Sequence, residues 1–195
     1  MTLNKLKQEA ITNLTSTIPD ASLTAGEIRQ FSGLLFDRLP LNLLTKLSTQ
    51  DFEKIMAIIW ESFRKPLVNQ PSVSISQEFI SLHKTPRLFL SLVNIDRPYI
   101  IDSLQSFLTR WNLKPQILLH PVVGVERNAA GEPVKIYHDY HEARQHADKA
   151  RFESVIFIMA KYKFSEAELK QFEIELKRTL QQLCWVGDDQ LTLQG

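Results

Sequence analysis

LFLSLVNIDRPYIIDSLQSFLTRWNLKPQILLHPVVGVER, residues 88–127, carries the pattern that decides the fold. Residues 88–93 are apolar but for Ser91 and lie between Pro86 and the polar Asn94 and Asp96, the signature of a buried strand. A helix is expected directly after it. Asp96 is placed to accept from the free N–H groups of a first turn, and Pro98 falls where a missing donor costs little. Ile100, Leu104, Phe107, Leu108 and Trp111 then recur on one face, while Asp102, Gln105, Ser106, Thr109 and Arg110 fall elsewhere. That apolar face must lie on a sheet. Asn112 and Lys114–Pro115 stop the helix, and residues 117–125 resume a strand pattern. The unit reads β-α-β.

Upstream, the first seventy residues have helical spacing. Leu3, Leu6, Ala10 and Leu14 share one side of a helix ending before Pro19. Thr24 and Glu27 have capping-box spacing ahead of Ile28, Phe31, Leu35 and Leu39, a stripe that Pro40 ends. Ser48 and Asp51 repeat the device before Phe52, Ile55, Met56, Ile59 and Phe63, stopped by Pro66. Three short helices suggest a small bundle, with Met56 and Trp60 assigned to its core or to an interdomain contact. From Pro66 the punctuation changes to Pro, Ser and Asn, and Val73 and Ile75 alternate as in an edge strand. The expected division is a helical segment over 1–70 and an α+β domain over 71–195.

Downstream, the turn residues of 128–131 join 122–127 and 133–137 as a hairpin. Residues 138–151 are polar, a short helix or an excursion, and residues 154–160 supply another apolar strand. Ser165 and Glu168 cap a last helix carrying Leu169, Phe172, Leu176, Leu180 and Leu183. The order β-α-β-β-α predicts a ferredoxin-like antiparallel sheet with two helices on one face. The source of its closing strand is left open, with residues 190–193 the one stretch that could supply it.

The 195 residues are 44% hydrophobic, enough for a sizeable core. The formal charge of +1, with acids and bases interspersed, leaves no electrostatic footprint for nucleic acid or an anionic membrane. Cys184 alone makes no internal disulfide framework, which fits a reducing compartment, and the charged N-terminus is unlike a signal peptide. A cytoplasmic location is the expectation.

His138, Asp139, His141, Glu142 and His146 have spacings that suit metal ligands, but the segment lacks Cys and the HExxH order, and no metal is expected. Asp102, Ser103 and His120 are the residue types of a hydrolase triad, yet Ser103 lies inside a helix without nucleophile-elbow glycines. Asp102 reads as first-turn charge and His120 as structural. No GxGxxG follows a strand, and only six glycines are present, so no cofactor site is expected within the chain and no catalytic residue is assigned.

DRPYIIDSL at 96–104, HPVVGVERNAAG at 120–131 and Glu153–Ser154 occur in the order seen in large bacterial NAD-specific glutamate dehydrogenases. FSGLLFDRLPLNLLTKLSTQDFEKIMAIIWESFRKP at 31–66 resembles the helical segment preceding the first ACT-like domain of those enzymes. Together these stretches span most of residues 28–185. The resemblance implies an N-terminal regulatory or oligomerisation region, three helices and an ACT-like domain, itself non-catalytic. It also implies a parent that oxidises L-glutamate to 2-oxoglutarate and ammonia with NAD, in amino-acid catabolism, using modules outside this chain. The implied partners are the remainder of that enzyme and neighbouring subunits. The alternative is a free-standing ACT-like amino-acid sensor or scaffold.

ACT-like domains commonly bind amino acids near the strand-to-helix turn. The resemblance therefore points to an amino-acid effector at Asn94, Asp96 and Arg97, with Arg97 on the carboxylate and Asn94 or Asp96 on the amino group. Here the chain departs from the family, with Asn94-Ile95-Asp96 in place of an aspartate pair and Arg97 and Tyr99 in place of methionine and phenylalanine. The plainer assignment, which these residues favour, is an N-cap beside a solvated arginine, within a surface for subunit contact.

Overall fold

The computed structural model describes residues 5, 8–9, 11–13, 23–39, 41–44, 46–68 and 70–192, with side chains to residue 183 apart from 41 and 44. Helices α1 (Ala25–Phe36), α2 (Leu41–Leu44) and α3 (Thr49–Arg64) precede strands β1 (Ser72–Glu78) and β2 (Arg87–Ile95). Then come α4 (Ile100–Arg110), β3 (Pro115–Leu119), β4 (Val122–Arg127), β5 (Pro133–Ile136), α5 (Tyr140–Gln145), β6 (Arg151–Ala160) and α6 (Glu166–Thr192). The stripe through Leu3, Leu6, Ala10 and Leu14 lies outside the described residues. Of its neighbours, Ile11 is helical and buried.

Among the described residues six strands form one antiparallel sheet, in the order β1-β2-β6-β4-β5 with β3 off this path and paired to β6. The β-α-β unit is present, since β2 and β3 both pair with β6 and so run parallel with β6 between them. Residues 117–125 do not make one strand. The chain breaks at His120–Pro121, so β3 lies along one half of β6, with Leu118 opposite Ile158, and β4 along the other, with Val122 opposite Ser154. A proline cannot donate a ladder hydrogen bond, but Pro121 still accepts one from the Val155 N–H at 2.9 Å. The expected hairpin is β4–β5, closed by Gly131 at φ +83°.

The closing strand is β1, from upstream, pairing with β2 from Ser72 opposite Val93 to Glu78 opposite Arg87. Residues 190–192, the candidate for it in the sequence, continue α6. The residues ahead of β2 thus fill the sheet position that a C-terminal strand would otherwise take.

Strand alternation divides the core between the two faces. Leu88, Leu90 and Leu92 of β2 and Ile156, Ile158 and Ala160 of β6 pack with Ile100, Leu104 and Phe107 of α4 and Phe172, Leu176 and Leu180 of α6. Two helices on one face is the expected layer. Phe89, Val93, Val155, Phe157 and Met159 face the other way and share a core with Phe31 and Leu35 of α1 and Ile55, Ile59 and Phe63 of α3. The N-terminal helices therefore cover the sheet and are not a bundle apart. Phe31 lies 4.4 Å from Phe63 and 5.5 Å from Trp60, centroid to centroid, which locks α1 onto α3.

The capping boxes of α1 and α3 form as expected. Ser48 accepts from the Asp51 N–H while the Asp51 carboxylate accepts from the Ser48 N–H, and Thr24 and Glu27 do the same. The second α1 contact was not legible in sequence: Glu27 Oε1 also accepts the Ile136 N–H of β5 at 3.2 Å. Among the described residues no helix is long and apolar enough to cross a membrane.

Candidate functional site

The segment after β2 does not cap α4 as its sequence suggests. The helix starts at Ile100, and the residue in the N-cap position is Tyr99, left-handed at φ 65° and without a side-chain cap. Asp96 is instead held to the sheet. Its N–H donates to the Phe152 carbonyl at 2.9 Å, and its Oδ1 accepts from Ser154 Oγ at 2.6 Å. Pro98 explains the displaced start, because a residue preceding proline is driven out of helical conformation.

Ser154 joins a third residue to the pair, with its Oγ 2.9 Å from His120 Nε2. A hydroxyl carries one proton, and this one is committed to Asp96, so the His120 contact uses an Nε2–H as donor. That polarity is the reverse of a nucleophile handing its proton to imidazole, and Ser154 is fully buried. The cluster is suited to orienting polar groups, not to covalent attack. Burial holds the His120 imidazole below its ordinary pKa, opposed by Asp96 and reinforced by Arg38.

Asn94 stands beside this cluster. It is opposite Ser154 in the β2–β6 register, and alternation with Leu88, Leu90 and Leu92 puts it on the face that α4 covers. Its side chain is 3% exposed; Oδ1 accepts from the Ile95 N–H, but Nδ2 makes no hydrogen bond. A buried amide donor without an acceptor costs on the order of 1–3 kcal/mol, so the position calls for an acceptor. Asp96 is exposed and Arg97 half-buried in the same turn. The rim carries exposed Tyr99, Val122 and Tyr140, the last stacked on Phe152 at 4.5 Å.

Of the residues singled out from sequence, Asn94 and Asp96 come together around Ser154, and Arg97 follows in the turn. Ser154 itself was not singled out as a site residue, because its role depends on a strand pairing sixty residues distant. Ser103 lies on α4 and His120 bonds Ser154 on β6, so the two are not brought together. Ser103 lines a polar cleft of about 800 Å³ between α4 and α6 with Ser106, Trp111 and Glu175, where Trp111 donates to Glu175 at 2.9 Å.

The segment 138–146 is committed locally. Asp139 caps α5 by accepting from Glu142 N–H, Glu142 accepts the His138 N–H, His141 meets Gln145, and His146 stacks on Tyr137. Among the described residues no group of three potential metal ligands comes together.

A second polar cluster lies on the opposite face, one residue along β6. Glu153, fully buried, receives Arg127 as a fork, Nε to Oε1 at 2.7 Å and Nη2 to Oε2 at 2.8 Å, and Arg151 Nε to Oε1 at 2.6 Å. The remaining Arg127 donors reach the carbonyls of Phe63, Lys65 and Gly131, and Arg151 Nη2 reaches that of Leu67. Every element entering this junction is tied to one carboxylate. Stretches 96–104, 120–131 and 153–154 thus converge on two adjacent residues of the central strand.

The family model described as "Glutamate dehydrogenase, ACT1 domain" matches residues 31–176, from within α1 to within α6. No curated protein and no solved structure matches the chain.

Proposed function

Because the chain belongs to the glutamate dehydrogenase ACT1-domain family, we propose that it is the N-terminal regulatory and oligomerisation region of an NAD-specific glutamate dehydrogenase. In this reading the region is cytoplasmic and non-catalytic, and it acts on modules elsewhere in the parent, which oxidise L-glutamate to 2-oxoglutarate and ammonia. Its partners are those modules and neighbouring subunits. Its effector is an amino acid bound at the turn after β2.

The observation that carries the effector site is Asn94, a buried amide with an unused donor at the start of the turn leading to α4. A free amino acid supplies complementary groups. Its carboxylate takes the Asn94 Nδ2–H, the first N–H groups of α4 and Arg97, while its ammonium takes Asp96. His120 and Ser154 hold Asp96 in place for that contact. Tyr99, Val122 and Tyr140 at the rim give the side chain an apolar boundary.

Calorimetric titration with amino acids tests this. At least one should bind, and Arg97→Ala should weaken it by roughly 1.5–3 kcal/mol, the range for a charge-assisted hydrogen bond. Asp96→Ala is to be read beside a stability measurement, since Asp96 also anchors the turn to β6. Absence of binding at millimolar amino acid would remove the effector and leave subunit contact as the role of this surface.

A further inference from the structure

Arg127 shows how a buried arginine is neutralised in this protein: its Nε/Nη2 edge meets the two oxygens of Glu153. Arg87, the first residue of β2, is also a buried cation, 5% exposed, and its same edge has no such partner. Nη1 donates to Thr85 Oγ1 at 2.7 Å and to the carbonyls of Thr85 and Pro86 at 3.1 and 3.4 Å. Among the described residues neither Nε nor Nη2 has an acceptor, Nε is shut off from solvent, and no carboxylate pairs with the charge. A guanidinium cannot lose its proton to escape that cost. The surroundings add positive charge. One step past the Leu88–Ala160 pair, the β2–β6 register sets exposed Lys161 opposite Arg87, and like charges directly opposite repel. Burial, and then the charges of Arg87 and Lys161, hold the half-buried His83 imidazole below its ordinary pKa, which keeps it neutral at pH 7. Asp51, which pins the loop before β2 to α3, is taken by Ser48 and Ser81, and Glu78, opposite Arg87 on β1, makes no ion pair with it.

We propose that Arg87 and Lys161 form a binding site for a phosphate group, at the end of β2 opposite to the 94–97 turn. The Nε/Nη2 edge of Arg87 takes two oxygens of the group, as the same edge of Arg127 takes Glu153, and the Lys161 ammonium takes a third. Charge selects phosphate over carboxylate. Two cations stand side by side with a neutral imidazole that can donate an N–H, so a dianion with three acceptor oxygens satisfies the set, whereas one carboxylate fills the arginine fork and leaves Lys161 unmatched. Free phosphate and the phosphate of a small metabolite share this chemistry. The site does not depend on the amino-acid reading of the 94–97 turn, and either can fail without the other.

Calorimetric titration of the whole chain with inorganic phosphate, at fixed ionic strength, should show saturable binding, and acetate should bind at least about tenfold more weakly. Glycerol 3-phosphate binding more tightly than inorganic phosphate would assign a metabolite to the site, and equal or weaker binding would assign the free ion. Arg87→Lys keeps the charge but loses the fork, and Lys161→Ala removes the second cation from an exposed position, so each should weaken phosphate about tenfold. Circular dichroism on each variant separates lost binding from lost folding. In NMR, the His83 imidazole pKa should rise when phosphate is added, because the dianion offsets the two cations. Glu78→Gln should leave stability in the absence of phosphate unchanged. No saturable phosphate binding by the wild-type chain overturns the proposal, as does acetate binding as tightly as phosphate, or an affinity that folded Arg87→Lys and Lys161→Ala both leave unchanged. So does a Glu78→Gln variant less stable than wild type without phosphate, which would assign the Arg87 edge to Glu78.

Discussion

Glu153 is the residue on which most of the sheet's polar chemistry turns. A carboxylate buried in the central strand is tolerable because Arg127 meets it with two parallel hydrogen bonds and Arg151 with a third. Arg127→Met should cost about 3–5 kcal/mol in urea denaturation, since it leaves a desolvated charge short of its main partner and releases three carbonyls. Arg151→Ala should cost less, because that side chain is 30% exposed. Equal losses would contradict this assignment. Two other groups make stability depend on pH. His120 titrates below its ordinary value in the fold, so as pH falls the unfolded chain takes the proton first. Its contribution is present above the unfolded value of about 6.5 and lost below it, and His120→Gln should flatten that part of the curve. Burial pushes the Asp51 carboxyl up, but hydrogen bonds from Ser81 and Ser48 outweigh it and hold the group low. That stabilisation should disappear only as pH falls below about 4, and Asp51→Asn should remove the acidic limb.

Among the elements, those set by local chemistry were legible in the sequence and those set by distant partners were not. The boxes of Thr24, Ser48 and Ser165 with their third residues are local hydrogen bonds, and each helix starts where they say. The start of α4 was misread because Asp96 has the composition of a cap while its partner is Ser154, reachable only once β6 has paired with β2. The source of the closing strand stayed open for the same reason: nothing local tells Ser72–Glu78 which edge it joins. Gly124 shows how tightly a later element constrains an earlier one. A Cβ built there lies 2.5 Å from Ala143 Cβ, so α5 can sit on β4 only if position 124 has no side chain. Gly124→Ala should destabilise by about 1–3 kcal/mol, and adding Ala143→Gly should recover part of the loss. Additive losses in thermal or chemical unfolding would place the strain elsewhere.

At the scale of the whole molecule, α1 and α3 on one side and α4 and α6 on the other enclose a sheet whose two faces are both apolar. Residues 71–195 alone would uncover Phe89, Phe157 and Met159, so that fragment should bind a hydrophobic dye strongly where the whole chain does not. The proposed division near residue 70 is a matter of backbone exposure. Limited proteolysis of the intact chain should cut first within 68–71 or within 138–151, and first cuts inside 88–127 would argue against it. What the sequence could not supply was the face on which Asn94, Ser154 and His120 meet, because that depends on register between β2, β6 and the broken β3–β4 strand. The proposed effector site rests on that face. The most direct measurement is side-chain NMR of the whole chain, following the Asn94 amide and the His120 imidazole during titration with amino acids. Binding as proposed should shift both signals saturably, with one dissociation constant, while the Arg127 guanidinium signals stay in place. An amino acid that binds by calorimetry yet leaves Asn94 and His120 unmoved, or no bound amino acid at all, would contradict the account of this turn as an effector site.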